Sequence, residues 1–272
     1  MTLIRMFGPS AHPAFIQRLV PSRTRPILSR ARRVLSLQNN CYYLHGAFGL
    51  YTKTYLTNYF NFLCDTKMPA SWHIECLRRD GTKGLKLTGD FSDQETTVID
   101  FAEYNGLDAF GVMRVQVILR SPEIFLPDVH ATLYYKEFYT PGSVIGIMAH
   151  SLHVAKANHG IPYPRISPGL LVPPGFRPHL LIASGCGFQP FMHAACANAS
   201  LAFINFENKK QIYSVSAMKP GECLRIDLFE QYPALSAHLQ NKPFALQVVG
   251  ENFLAKPFIL FSNGTTVMGE HL

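Results

Sequence analysis

The chain has 272 residues, of which 47% are hydrophobic and only 16% are charged. Soluble domains carry about 25% charged residues, so this composition excludes a disordered chain and indicates one or two well-packed domains. No run of 18 apolar residues occurs, and the sequence therefore predicts no transmembrane segment.

The excess positive charge lies at the N-terminus. Residues 1–64 contain eight Lys and Arg and no Asp or Glu, whereas the remaining residues have a net charge of −1. Pro21 and Pro26 interrupt this region, but apolar residues at positions 27, 28, 31, 34 and 35 fall on one face of a helix. Residues 1–39 are therefore predicted to form a basic arm that contains a short amphipathic helix.

Three roles fit such an arm. It could dock on the body, bind an anionic surface, or direct import into an organelle. The arm lacks the apolar stretch of a secretory signal. The six cysteines of the whole chain form no CxxC pair, which favours reduced thiols and an intracellular location, cytoplasmic or peripheral to a membrane. Nucleic acid is an unlikely partner, because no basic motif with interleaved aromatic residues follows.

Beyond residue 40 the sequence predicts an all-β fold. Short runs rich in β-branched and aromatic residues alternate with turn signals such as Asp80-Gly81 and Asn263-Gly264. The predicted strands are Trp72–Leu77, Gly111–Leu119, His130–Tyr135, Leu201–Phe206, Phe244–Val249 and Pro257–Phe261. No helix longer than about two turns is expected in this part of the chain.

The two halves of the body resemble each other at an offset of 127 to 131 residues. The matched segments are Ala70-Ser71 with Ala199-Ser200, Ile99-Asp100 with Ile226-Asp227, and Val115-Gln116-Val117 with Leu246-Gln247-Val248. Turns every 8 to 12 residues are typical of antiparallel sandwiches. We therefore predict two tandem β-sandwich domains, jelly-roll-like and related by internal duplication: the arm 1–39, a first sandwich 40–157, a Pro-rich linker 158–178, and a second sandwich 179–272.

Tyrosines crowd into the start of the first predicted sandwich. Tyr42, Tyr43, Tyr51 and Tyr55 could form a stacking platform for a carbohydrate-like ligand, because tyrosine combines an apolar face with a hydrogen-bonding tip. The alternative is that these rings simply fill the core of the strands.

Histidines give a second candidate site. His150, His153 and His159 precede the linker, and His271 lies at the equivalent end of the second half. Imidazoles suit zinc, copper or iron, so these four could bind a divalent transition metal. The spacing His-x2-His-x5-His matches no established metal motif, however, and a structural role in a loop is the alternative.

Asp100 and Asp227 recur at matched positions, each after a predicted strand. A catalytic acid is seldom needed twice, whereas an Asp that caps a helical turn would serve both halves equally. We therefore expect both to be caps.

The leading functional hypothesis is a non-catalytic binding or assembly protein. Its carbohydrate-like ligand or protein partner would be held at an aromatic surface or in an inter-domain crevice. The alternative is a metal-dependent enzyme with a His-ligated site at the boundary of the two sandwiches. The sequence leaves open whether any reaction is catalysed.

Overall fold

The computed structural model describes residues 35–58, 69–91, 96–119, 134–141, 146–150, 165–166, 170–184, 199–205, 210–215, 218–219, 221–239, 242–250, 253–255 and 257–271. This part of the chain is mostly β and forms several antiparallel sheets, as the sequence predicts. No helix in it is long and apolar enough to cross a membrane. The predicted arm helix, like most of the arm, lies outside these residues.

The described residues of the first half form eight strands in two four-stranded sheets. Sheet A has the order β1-β6-β3-β4, and sheet B has the order β5-β2-β7-β8. Single 3₁₀ turns follow β1 at Ala47–Gly49 and β5 at Phe101–Glu103. The strands are β1 (Leu35–Leu44), β2 (Tyr51–Leu56), β3 (Ala70–Leu77), β4 (Lys83–Asp90), β5 (Thr97–Asp100), β6 (Phe110–Leu119), β7 (Tyr134–Tyr139) and β8 (Gly146–His150).

Sheets A and B share a hydrophobic core. Along β2 the residues alternate between half-buried and buried, because successive side chains of a strand point to opposite faces. Leu56 of β2 and Ile99 of β5 meet Trp72 and Ile74 of β3 and Val115 of β6 in this core. One face of sheet B is therefore covered by sheet A, and its other face is the outer one.

The second half repeats this arrangement with its own strands. Sheet C has the order β10-β15-β12-β13, and sheet D has the order β14-β11-β16-β17. Two short helices, α1 (Leu228–Gln231) and α2 (Pro233–Leu239), follow β14. The strands are β9 (Arg165–Ile166), β10 (Leu170–Val172), β11 (Arg177–Ala183), β12 (Ala199–Asn205), β13 (Lys210–Ser214), β14 (Cys223–Asp227), β15 (Phe244–Gly250), β16 (Phe258–Ser262) and β17 (Val267–His271).

Strand order and register correspond between the halves. Both β9 and β10 pair with β15, at successive positions along it, so they act as one interrupted edge strand. Counted in this way, each half has the orders 1-6-3-4 and 5-2-7-8. The residues matched in sequence also pair alike: Trp72 lies opposite Val117, and Leu201 lies opposite Val248. The sequence offset therefore connects residues at the same places in the two sets of sheets.

A third core joins the two halves. It packs the outer side of sheet D against β1, β6, β7 and the turn after β1 of the first half. Backbone contacts cross the same boundary, since Cys223 N donates to Arg79 O at 2.8 Å. The buried residues of this junction are Tyr42, Leu44, Ala47, Leu50, Phe110, Val112 and Phe138 from the first half and Leu181, Ala183, Cys223, Ala255, Phe258 and Leu260 from the second.

The junction also buries a lysine. Lys136 is 1% exposed, and its Nζ donates to Tyr42 O at 3.1 Å. The ammonium lies 4.7 Å from the centroid of the Phe138 ring and 5.5 Å from that of Phe258. Burial lowers the pKa of Lys136, because removal from water disfavours the charged form.

The predicted domain boundaries stay a prediction. The edge strands β9 and β10 fall within the predicted linker 158–178. An edge position tolerates nearby prolines, because only one side of the strand needs hydrogen bonds. The predicted strand at His130–Tyr135 is observed from Tyr134 to Tyr139 among the described residues.

Candidate functional site

The outer face of sheet B brings polar and aromatic side chains from three adjacent strands together. β2 directs Tyr51, Lys53 and Tyr55 to this face, while Thr52, Thr54 and Leu56 point inward and are buried. We name it the tyrosine face and define it by Tyr51, Lys53, Tyr55, Asp100, Glu137 and Tyr139.

Lys53 lies at the centre of the tyrosine face. In the strand register it is directly opposite Asp100 on β5 and Glu137 on β7. Its Nζ is 3.3 Å from Asp100 Oδ2 and 4.2 Å from the centroid of the Tyr139 ring. Tyr51 lies opposite Tyr139, with ring centroids 6.5 Å apart. The ammonium is thus held by both a carboxylate and an aromatic face.

Two phenols on this face donate to carboxylates. Tyr139 OH lies 2.6 and 2.7 Å from the two Asp100 oxygens, and Tyr55 OH lies 2.7 Å from Glu137 Oε2. Partial burial and the hydrogen bond to Glu137 raise the pKa of Tyr55 to about 12. Burial and the bond to Asp100 raise the pKa of Tyr139 further. Both phenols therefore stay protonated at neutral pH, where they hold their rings in place rather than act as bases.

Asp100 has a second, local role. Its Oδ1 accepts from Ala102 N at 3.0 Å and so caps the 3₁₀ turn, as the sequence predicts. Partial burial raises the pKa of this carboxyl, but the bonds from Tyr139, Ala102 N and Lys53 outweigh that effect, and the net shift is downward. Asp100 is therefore a charged, fully engaged acceptor.

The structure separates the four tyrosines predicted to bind a ligand. Tyr51 and Tyr55 lie on the tyrosine face and are half-buried. Tyr42 and Tyr43 are 0% exposed. As neighbours on β1 they point to opposite faces, so Tyr42 enters the junction and Tyr43 enters the core between sheets A and B, where its OH donates to Leu77 O at 3.1 Å. A fully buried ring offers no face to a ligand, so neither residue belongs to the tyrosine face.

Sequence reasoning missed Lys53, Glu137 and Tyr139 as members of this face. The sequence did contain a signal for them. Tyr51–Leu56 and Tyr134–Tyr139 are short runs of polar and aromatic residues typical of strands, and in a strand every second residue faces outward. What the sequence does not contain is the pairing of β2 with β7, more than 75 residues away.

The histidine site is described only in part. His150 ends β8 opposite Tyr135, and His271 ends β17 opposite Phe258, so the two occupy equivalent positions on neighbouring edge strands. His153 and His159 lie outside the described residues. Within the part of the chain that is described, no three His, Cys, Asp or Glu residues are grouped closely enough to bind a metal ion. The metal site therefore stays a prediction.

The second half has a different group at the position of Lys53. His179 lies opposite Asp227, as Lys53 lies opposite Asp100, and its Nδ1 is 3.5 Å from Asp227 Oδ2. His179 is 6% exposed and packs under the ring of Phe48, with centroids 4.6 Å apart. Phe48 has a positive φ of 58° and also lies 5.2 Å from the Arg225 guanidinium. Here the first half covers the position that is open on sheet B.

The environment of His179 disfavours its charged form. Burial is the largest cause, Arg225 and Arg177 add to it, and Asp227 opposes it; together they lower the pKa of His179 to about 4. Asp227 also caps α1, where its Oδ1 accepts from Phe229 N and Glu230 N at 3.1 Å each. His179 is therefore a neutral group inside the junction.

A shallow polar depression lies on the outer face of sheet A. Glu75 is at its centre, 2.8 Å from Arg114 Nη2 and 3.5 Å from Lys83 Nζ, and His73 and Gln116 line its side. Lys83 is 76% exposed. The exposed pair with Lys83 is weak, and the residues that line the depression include no Tyr, Phe or Trp. The tyrosine face is therefore the stronger candidate.

Comparison of the chain with protein-family models, curated proteins and solved structures finds no match.

Proposed function

We propose that the chain consists of two β-sandwiches that arose by duplication of one eight-stranded unit of the jelly-roll type. Three observations support this: each half has the strand orders 1-6-3-4 and 5-2-7-8, each pair of sheets shares its own core, and matched sequence segments occupy matched registers. Eight strands in two sheets is the size of a jelly roll.

We further propose that the protein is a non-catalytic binding protein whose tyrosine face holds a carbohydrate-like ligand. The observation that carries this proposal is the contrast between equivalent faces. On sheet D the outer face bears Leu181 and Leu260 and is buried in the junction, whereas on sheet B the same positions bear Tyr55 and Glu137 and stay accessible. The residues of the tyrosine face lie outside the described junction core, and mutual contacts hold its aromatic and charged side chains.

The chemistry of the face suits sugars. Tyr51 and Tyr55 lie four residues apart on β2, about 13 Å at a rise of roughly 3.3 Å per residue. Each ring can pack against the C–H face of a pyranose, while the nearby carboxylates accept hydrogen bonds from hydroxyl groups. An extended oligosaccharide would therefore contact both rings, and the site would discriminate by shape and by hydroxyl pattern.

The experiment is to screen the whole protein against an oligosaccharide array and to measure the best ligand by isothermal titration calorimetry. Replacing both Tyr51 and Tyr55 by Ala should weaken binding at least tenfold, which corresponds to about 1.4 kcal/mol. Leu171→Ala is the matched control, since Leu171 is 53% exposed on β10 of sheet C, and it should bind as the wild type does.

Two results would overturn the proposal. One is that the folded protein binds no oligosaccharide on the array. The other is that the double tyrosine variant, with an unchanged circular dichroism spectrum, binds as tightly as the Leu171→Ala control.

A further inference from the structure

This inference rests on the proposed function and specifies its ligand. We propose that the oligosaccharide bound at the tyrosine face contains amino sugars, and that Glu137 pairs with the protonated amine of one of them.

The chain's own lysine shows which cation the face accepts. Lys53 Nζ lies 3.3 Å from Asp100 Oδ2 and over the ring of Tyr139. A carboxylate and an aromatic face both attract an ammonium group, the first by charge and the second through the ring quadrupole. One ammonium is therefore already accommodated on this surface by a tyrosine and an acid from different strands.

Glu137 offers a second pairing of the same kind. Its Oε2 accepts a hydrogen bond from Tyr55 OH, but among the described residues no Lys, Arg or His nitrogen lies within 4.0 Å of its carboxylate. It lies directly opposite Lys53, whose ammonium is paired with Asp100 instead. Glu137 is half-buried, so its charge is partly desolvated and benefits more from a partner than an exposed charge would.

The hydrogen-bonding capacity of the face points the same way. Tyr55 OH and Tyr139 OH donate their hydrogen bonds to carboxylates, so these phenols offer a ligand only the lone pairs of their oxygens, and Glu137 Oε1 accepts no hydrogen bond from the described residues. Asp100 and Glu137 together outweigh the single positive charge of Lys53. The face therefore favours a ligand rich in donors and disfavours sugars that carry carboxylates or sulfates.

A lysine side chain of a protein also ends in a primary ammonium. The spacing of Tyr51 and Tyr55 favours the sugar, because two rings about 13 Å apart match several pyranose units in a row better than one aliphatic side chain. Binding of a lysine-rich peptide in place of the sugar is an outcome that the experiment below detects.

The test compares two ligands that differ only at the nitrogen. Oligosaccharides of glucosamine and of N-acetylglucosamine of equal length are titrated into the full chain by calorimetry at mildly acidic pH, where the free amines are protonated. We expect the glucosamine oligomer to bind at least tenfold more tightly and its affinity to fall with added salt. In Glu137→Gln the preference should fall to near one, whereas Glu230→Gln, an exposed position in the second half, should retain it.

The outcomes separate the two proposals. If both oligosaccharides bind equally, or if Glu137→Gln retains the preference, the inference about the amine is overturned while the proposed function stands. If neither oligosaccharide binds but uncharged sugars of another kind do, the ligand does not require an amine, and the inference is again overturned. If only a lysine-rich peptide binds, both proposals fail. A thermal unfolding curve of Glu137→Gln that matches the wild type shows that the loss is not due to misfolding.

Discussion

The outer faces of sheets B and D occupy equivalent places in the two halves but differ in what covers them. Tyr55 and Leu181 both lie two residues beyond the position that faces the capping Asp. Glu137 and Leu260 both lie directly opposite that position on the neighbouring strand. On sheet D these positions are apolar and buried, and on sheet B they are polar and accessible. One strand arrangement thus supplies an assembly surface in one half and a candidate ligand surface in the other.

The capping residues show what does not change between the two faces. Asp100 and Asp227 each end a strand, accept backbone N–H groups of the following turn, and lie next to a cation at the surface, Lys53 in one case and Arg177 in the other. In both halves the backbone N–H groups of the turn need an acceptor, and this requirement explains why both halves have Asp at this position. The side chains around it differ because the face of sheet D packs against the first half, whereas the face of sheet B contributes nothing to the junction core among the described residues.

The largest expected effect comes from truncating matched residues on the two faces. Leu181→Ala leaves a cavity in the junction and should lower the free energy of unfolding by about 2–5 kcal/mol. Tyr55→Ala removes a half-buried ring from an open face and should cost less than about 1 kcal/mol. Urea unfolding followed by circular dichroism measures both, and equal losses at the two positions would show that the faces are not distinct.

A smaller effect is expected at the position of His179 when the pH falls. Its pKa is about 4 in the folded protein and about 6.5 in an unfolded chain, so between these values the unfolded chain binds a proton that the native protein does not. The free energy of unfolding should therefore fall as the pH drops from about 6.5 to 4, by about 2 kcal/mol once solvent screening is allowed for.

The matched variants isolate this contribution from that of the carboxylates. His179→Leu should make the dependence on pH shallower in this window, because the titrating group is gone. Leu171→Ala, at an exposed position on β10, should leave the slope as it is, because it removes no titratable group. Denaturant unfolding at several pH values compares the slopes, and identical slopes for His179→Leu and the wild type would contradict the assignment.

Part of this architecture could be predicted from the sequence. Period-two alternation and turn residues located the strands at Trp72–Leu77 and Phe244–Val249 to within two residues, and the recurrence of Asp100 and Asp227 predicted both caps. These features are local: they depend on the backbone hydrogen bonds and pleat of a few adjacent residues.

The tyrosine face and the junction could not be predicted in this way, because they depend on which sheet covers which. Tyr42 and Tyr43 carry the same side chain as Tyr51 and Tyr55, yet β1 is buried on both sides at residues 41–44, whereas β2 is buried on one side. The burial of Lys136 is a further case, since nothing in its local sequence distinguishes it from Lys53. Such differences arise from contacts between residues more than 80 positions apart, such as that of Lys136 with Tyr42.

The smallest expected effect concerns the caps, where the two halves should behave alike. Asp100→Ala and Asp227→Ala each remove a helix cap and should lower the free energy of unfolding by about 1 kcal/mol, with Asp227→Ala the costlier because Asp227 accepts from two backbone N–H groups and Asp100 from one. Replacement by Asn should restore most of the loss, because its side-chain oxygen can accept the same bonds. If urea unfolding showed a lower free energy of unfolding for Asp227→Ala only, Asp227 would be stabilising the junction and not the turn. Similar losses at both, restored by Asn, would mean that the two faces diverged around one retained backbone feature.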